Sequence, residues 1–429
     1  MSGLLGVAAL LALLAIGVPI GVAMGFVGMA GMCMLLGMEP ALIKSGVVLF
    51  ESVARYELGV LPLFLLMAHL CFAAGASRDF FAAAASMVGH RRGGLALATI
   101  AGCAGFGAVS GSSLATAATM GLIGLPEMRK RGYSTALASG SVAAGGTLGS
   151  LTPPSGALIV FGIIAEQSIG KLFTAAIIPA LTQTLFYMAA IILVCRIRPS
   201  IAPPSPRATW AEHRAAIFRI LDLAALVICV LTGIAVGWFT PTEAASVGAL
   251  LALVLCAIRK RLTWATLGDA LEKTLKTTGM LYVVIVGALI FAVFMSFTGL
   301  AEQVSSLVHG LDGGPMVAII VITLLLLLLG SVLDGLALML LTTPILLPIV
   351  TDLGFSPIWF GIFLVRTMEI GFVHPPIGIN LYVIQSIAPD IPLARVFKGV
   401  LPFLAADFLH LAMLIAIPAL TLGLPALLS

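Results

Sequence analysis

The sequence predicts an all-α integral membrane protein made of two inverted-topology repeats. It should have about ten full spans, two re-entrant hairpins and two broken helices. Three observations carry this. Of 429 residues, 61% are hydrophobic and 9% charged, against about 25% charged in ordinary soluble domains. Mean hydropathy is +1.18. The few charges gather in short clusters between continuous apolar runs, and the chain repeats its punctuation at a fixed offset.

A water-soluble globule cannot hide this much apolar surface, so a soluble enzyme or a nucleic-acid binder is excluded. Continuous rather than alternating apolar runs exclude a barrel. A net charge of +4 is too small to argue for polyanion binding. The cysteines Cys33, Cys71, Cys103, Cys195, Cys229 and Cys256 lack metal-ligand spacing and read as buried thiols. No Lys or Arg precedes Lys44, so the basic start of a cleaved signal peptide is absent.

The basic clusters are Arg91-Arg92, Arg129-Lys130-Arg131, Arg196 to Arg219, Arg259-Lys260-Arg261 and Arg395 to Lys398. The positive-inside rule puts them in the cytoplasm. The loops at 300–314 and 351–357 carry Glu302, Asp312 and Asp352 without Lys or Arg and read as external. Residues 4–18 and 21–37 then form a pair, and 57–77 runs inward. Residues 134–165 run out and 172–195 return, 220–239 run out and 243–258 return, and 279–299 run out again. Both termini then fall outside. Residues 41–56 and 263–277 are amphipathic and are expected along the interface.

Two stretches begin and end on the same side. Residues 93–126 turn at Ser110-Gly111-Ser112-Ser113, and residues 315–350 turn at Gly330 to Gly335. Each reads as a re-entrant hairpin, with a pair of full spans as the alternative, because small polar residues at mid-membrane fit backbone that lines a cavity.

The repeat has an offset of 222: Pro19 matches Pro241, Pro126 matches Pro348, and Pro153-Pro154 matches Pro375-Pro376. Gly132-Tyr133-Ser134 matches Gly354-Phe355-Ser356 in the same register. Paired loops carry opposite signals, Arg129 to Arg131 against Asp352, so the halves should lie upside down relative to each other. Residues 1–198 form the first repeat, 199–219 a cytoplasmic linker and 220–429 the second. Inverted repeats with broken helices near the midplane are the mark of secondary transporters.

The breaks fall within 134–165 and 357–388. Proline removes the bond to the carbonyl four residues back. The two Pro-Pro pairs therefore free the carbonyls of Gly149, Ser150, Gly371 and Phe372. A hard cation such as Na⁺ takes oxygen ligands of this kind. Each break should face a hairpin tip: Ser110, Ser112, Ser113 and Thr116 in the first half, Ser331, Asp334 and Gly335 in the second. Half-helix N-termini beside them would attract a carboxylate. The candidate substrate contacts are Ser113, Thr116, Ser155, Asn380 and Arg366. Close packing and simple kinking are the structural alternatives for such Gly, Ser and Pro residues.

Other features read more blandly. Thr240-Pro241-Thr242-Glu243 fits a capping box with proline at the first helical position. Arg366 and Glu369, three apart, either mark function or neutralise each other. Glu166 and Lys171 lie at an external helix end. His69, His90, His309 and His410 show no partner. No phosphate loop, acid/base pair or nucleophile–base pattern occurs, so no enzyme is expected.

The segments GFGAVSGSSLATAATMGLIGLPEMRKRGY (105–133), GGTLGSLTPPSGALIVFGIIAEQSIGKLFTAAIIP (145–179), WFTPTEAASVGAL (238–250), GSVLDGLALMLLTTPILLPIV (330–350) and EIGFVHPPIGINLYV (369–383) carry a family resemblance. Over essentially its whole length the chain resembles the large membrane subunit of tripartite ATP-independent periplasmic transporters, the C4-dicarboxylate large-permease family. The resemblance implies an elevator-type, Na⁺-coupled symporter of the bacterial inner membrane that takes up an organic acid without an organic cofactor. It also implies two partners, a small four-span membrane subunit and a periplasmic substrate-binding protein. It places one Na⁺ site at Ser110, Ser112, Gly149 and Thr152, and a second at Gly335, Gly371, His374 and Ile377. His374 departs from the threonine usual before the second Pro-Pro pair, and where many members have asparagine before a Leu-Glu-Ile-Gly run this chain has Arg366-Thr367-Met368-Glu369. A self-sufficient carboxylate or oxyanion transporter and an ion channel are the alternative readings.

Overall fold

A computed structural model describes residues 2–309 and 314–428. Asp312 and the His309 side chain fall outside the described parts. Every regular element is helical among the described residues. In chain order they are α1 (Ser2–Ala15), α2 (Ile20–Leu36), α3 (Met38–Ala54), a 3-10 turn at Tyr56–Gly59, α4 (Val60–Ala73), α5 (Ala76–Val88), α6 (Gly94–Ser110) and α7 (Ser113–Lys130). Next come α8 (Thr135–Leu151), α9 (Gly156–Ile164) and α10 (Ile169–Ile197). After a 3-10 turn at Pro199–Ile201 follow α11 (Trp210–Ala235), α12 (Pro241–Ile258), α13 (Trp264–Thr298) and α14 (Leu300–His309). The chain ends with α15 (Gly314–Gly330), α16 (Gly335–Asp352), α17 (Pro357–Gly371), α18 (Ile379–Ile387), α19 (Leu393–Ala416) and α20 (Ala419–Leu428).

Seven helices among the described residues are long and apolar enough to cross a membrane, eight if the α8–α9 pair, bent by 41°, counts as one span. The helix boundaries recur at the sequence offset. Gly335–Asp352 lies 222 positions after Ser113–Lys130, and Pro357 lies 222 after Thr135.

One element departs from its counterpart. The amphipathic stretch 263–277, expected as a separate interfacial segment, is the start of the unbroken α13, 35 residues long. At 1.5 Å per residue this helix exceeds a hydrocarbon core of about 30 Å. Its charged first turns are paired along one face, Lys273 to Asp269 at 2.7 Å and Lys276 to Glu272 at 2.6 Å. In the first half Pro62 lies in the opening turn of α4. It has no N–H for the carbonyl of Leu58 and its ring excludes continuous helix back through that point. α13 carries no proline, so nothing interrupts it.

The linker is also shorter than the sequence suggests. Residues 210–219 are already α11, opened by a capping box between Thr209 and Glu212. The rest bonds to neighbouring turns: Gly93 N–H to Ala202 O at 3.2 Å, Ser134 N–H to Ile201 O at 2.8 Å, and Ser205 N–H to Gly89 O at 3.1 Å. The basic turns at 89–93 and 131–134 therefore share one face. Near that face Arg259 binds Asp79 on α5 at 2.5 Å and Asp222 on α11 at 2.7 Å. Arg129 binds Asp390 at 2.5 Å, and that hydrogen bond holds the exposed Asp390 carboxyl below the usual carboxylate range. Elsewhere Arg55 meets Glu166 at 3.0 Å.

The helices sort into two packed groups. One joins α2, α4, α12 and α13; the other joins α6, α7, α8, α10, α17 and α19. Small residues set the closest approaches, as expected where lipid supplies no hydrophobic drive between helices. A Cβ on Gly287 would sit 2.0 Å from the Gly21 carbonyl oxygen, so α2 and α13 meet backbone to backbone. Four cysteines are buried, but Cys33 is half-buried and Cys229 exposed on α11. The expectation of uniformly buried thiols fails because the outer face of a membrane helix tolerates a small apolar side chain. The Thr240–Glu243 capping box is present in full, with Thr240 N–H to Glu243 Oε2 at 2.8 Å and Glu243 N–H to Thr240 Oγ1 at 3.3 Å.

Candidate functional site: hairpin tips, helix breaks and the cavity between helix groups

The first hairpin turns on Gly111, whose φ of 59° lies in the left-handed region that glycine adopts freely. Ser112 then opens α7, its hydroxyl accepting from Ala115 N–H at 3.4 Å. This tip lies on the first break. Gly156 N–H donates to Gly111 O at 3.1 Å, and Ser113 N–H donates to Ser150 Oγ at 3.2 Å.

Three of the four residues expected at one cation site, Ser110, Ser112 and Gly149, converge here, joined by Thr116, which was expected to contact substrate. The hydroxyls of Ser110 and Thr116 lie 2.7 Å apart. A Cβ on Gly149 would stand 2.5 Å from both the Ser112 carbonyl oxygen and Thr116 Oγ1. Glycine at 149 is what lets α8 approach the tip. Ser112 thus offers its carbonyl to this cluster, while its hydroxyl caps the helix. Thr152 turns its hydroxyl to Leu148 O at 2.7 Å. Ser155 caps α9 and donates to Ser150 O. That bond fills one of the carbonyls expected to be free, and Phe372 O is likewise taken by Asn380 N–H at 3.0 Å. A buried backbone oxygen finds a partner within the chain wherever one can reach it.

The second tip is more open. Asp334 caps α16, accepting from Leu336 N–H at 3.2 Å. Gly371 packs against Gly330, where a Cβ would meet the Gly330 oxygen at 2.5 Å. Gly335 lies against Met368. His374 Nδ1 is buried without a hydrogen-bond partner, and its ring meets Phe408 edge-on with centroids 6.2 Å apart. Ile377 is exposed.

Asn380 ties the two breaks together. Fully buried, its amide donates to Ser113 Oγ at 3.0 Å and to Ala143 O at 3.1 Å.

Arg366 lies elsewhere. It is fully buried between Glu369 at 2.5 Å and Asp407 at 2.8 Å. Asp407 Oδ1 also accepts from Gln183 Nε2 and Tyr187 Oη, both at 2.7 Å. The pairing with Glu369 was visible as an i,i+3 spacing. Asp407, Gln183 and Tyr187 were not singled out, although a lone carboxylate in the apolar run of α19 was a signal. His410 does have a partner, Thr182 Oγ1, at 2.8 Å from its Nε2.

Between the two helix groups lies a cavity of about 500 Å³. Ser110, Ser112, Ser113, Ser150 and Pro154 line it from the first tip and break, Asp334, Met368 and Phe372 from the second. Thr116, Ser155, Asn380 and Arg366 do not. The opposite wall is α4 and α13, which contribute His69, Lys273 and Thr277. Sequence reading missed these three because nothing local places an amphipathic turn beside a hairpin tip.

The family model described as the tripartite ATP-independent periplasmic transporter, DctM component, matches residues 7–420. The chain belongs to this family. The DctM family is one of transporters, and the chain is a multi-pass helical member of it. A C4-dicarboxylate large permease protein of Pseudomonas aeruginosa is 36% identical over 400 residues, 93% of each chain. A sialic acid large permease protein of Vibrio cholerae is 32% identical, over 97% of each chain. A 2,3-diketo-L-gulonate large permease protein of Escherichia coli is 30% identical, over 98% of each. In fold, the chain is similar to the YdaH transporter of Alcanivorax borkumensis, with a TM-score of 0.62 over 99% of each chain and 16% identity.

Proposed function

We propose that this DctM-family chain is the transport subunit of a Na⁺-coupled, binding-protein-dependent secondary transporter that takes up an organic acid across a bacterial inner membrane. One observation carries the reading: both hairpin tips and both helix breaks meet a single cavity between two helix groups. A cavity bounded on one side by the hairpins and on the other by α4 and α13 suits alternating access, in which one group moves against the other. That motion is the elevator. The recurrence of helix boundaries at the 222-residue offset supports inverted repeats, the first over 1–198 and the second from α11 onward, joined through 199–209. On this reading both termini are periplasmic, and the spans number about ten when short apolar helices such as α1 and α2 are included.

The donor set at the first break suits a hard monovalent cation: two hydroxyls, the Ser112 carbonyl and the backbone of Gly149, with no carboxylate or thiol. The second set, Gly335, Gly371, His374 and Ile377, offers backbone oxygens and one imidazole. Bound Na⁺ would supply positive charge beside the substrate carboxylate. The chain's own part is to hold the oxygens at fixed spacing through the Ser110–Thr116 and Gly156–Gly111 bonds.

On this reading the partners are a small four-span subunit and a periplasmic substrate-binding protein, which the family's description as a tripartite periplasmic transporter supports. Reconstitution of the chain with both partners should give uptake driven by an inward Na⁺ gradient. Uptake by the chain alone would instead make it self-sufficient, and downhill conduction without stoichiometric coupling would make it a channel.

A further inference from the structure

Resting on the carboxylate reading above, we propose that the cavity takes a carboxylate carried on an apolar aryl or branched-alkyl body, with Lys273 and His69 holding the carboxylate. Lys273 is the one cationic side chain lining the cavity among the described residues. Its ammonium gives one bond to Asp269, at 2.7 Å, and two further N–H groups remain. His69 lines the same cavity as Lys273, and its Nε2 is buried with no hydrogen-bond partner.

Arg366 is not a further anchor, since Glu369 and Asp407 hold it away from the cavity.

The remaining walls favour an apolar body. Phe64, Phe72, Phe106 and Phe372 line them, and the Phe72 and Phe106 rings lie 6.5 Å apart in a tilted pair. Such rings gain from stacking on an aryl group as well as from burying it. A cavity of about 500 Å³ is within the range that encloses a drug-sized ligand.

The test is ligand-induced thermal stabilisation of the purified full chain in detergent with Na⁺. The probes are phenylpyruvate, 4-methyl-2-oxopentanoate, succinate and N-acetylneuraminate. Phenylpyruvate is expected to bind about tenfold or more tighter than succinate. Phe72→Ala, at a half-exposed position, should weaken phenylpyruvate about fivefold relative to the parent chain. Lys273→Gln should weaken it at least as much. Succinate binding as tightly as phenylpyruvate would overturn the proposed substrate class and leave the carboxylate reading standing. Stabilisation by none of the four would overturn both. Unchanged affinity in Lys273→Gln would overturn the anchor.

Discussion

Asn380, at the start of the half-helix after the second break, donates a hydrogen bond at 3.0 Å to Ser113 at the tip of the first hairpin. The two halves are thus joined at the residues that flank the cavity, by a fully buried amide with a second bond to Ala143 O. Whatever moves one hairpin tip relative to the other break must stretch this link.

Asn380→Ala should therefore be costly, because Ala143 O and Ser113 lose their donor in a buried setting. Leaving a buried polar group unpaired costs about 1–3 kcal/mol. Thermal unfolding in detergent should show the loss, and Asn380→Ala with Ser113→Ala should cost less than the sum of the single changes. Strict additivity would mean that the bond contributes nothing.

Asp407 accepts from Arg366, Gln183 and Tyr187 on one oxygen, Oδ1. Asp407→Ala leaves Arg366 with Glu369 alone and strands the Gln183 amide, while the Tyr187 hydroxyl keeps Thr147 Oγ1 at 3.0 Å. Removing one partner of a buried ion pair costs about 3–5 kcal/mol. Replacing all three charges, Arg366→Met with Glu369→Met and Asp407→Leu, should be milder than Asp407→Ala, since no buried charge is then left without its partner. The comparison is read from melting temperatures. A triple variant less stable than Asp407→Ala would show that the network is needed beyond its charge balance.

At the first break, the tertiary geometry changes which side chain would face the proposed cation. Ser112 faces it with its carbonyl and Thr116 with its hydroxyl. Thr116→Val should weaken the apparent Na⁺ affinity of uptake roughly 5- to 150-fold, the equivalent of about 1–3 kcal/mol. Ser112→Ala should cost about 1 kcal/mol of stability through loss of the cap and shift Na⁺ dependence less. Gly149→Ala should abolish transport, because its Cβ would stand 2.5 Å from two oxygens. Equal Na⁺ dependence in Thr116→Val and the parent would take Thr116 out of the site.

Topology has a direct test. Lys130 and Asp352 are both exposed, at the C-terminal ends of α7 and α16, which occupy equivalent places in the two halves. Lys130→Cys should be labelled by a membrane-impermeant thiol reagent only from the cytoplasm, Asp352→Cys only from outside. The exposed native Cys229 is first replaced by serine to remove background. Labelling of both from one side would end the inverted-repeat reading.

By itself the sequence determined where the backbone turns and breaks. Gly111, the Pro153-Pro154 and Pro375-Pro376 pairs and the Thr240–Glu243 cap act through their own dihedrals and N–H groups, so their effects are local and legible at the residue. The apolar runs fixed the membrane class for the same reason, since each segment alone must satisfy the bilayer. Tertiary structure decided which side chains meet. Ser113 and Asn380 lie 267 positions apart and Arg366 and Asp407 lie 41 apart. Their pairing depends on which faces of α7 and α18, or α17 and α19, are turned together. Likewise Lys273 reaches the cavity because α13 runs unbroken past the hairpin tips. That straightness comes from the lack of a proline, but its direction comes from close packing against α2, which no local pattern encodes.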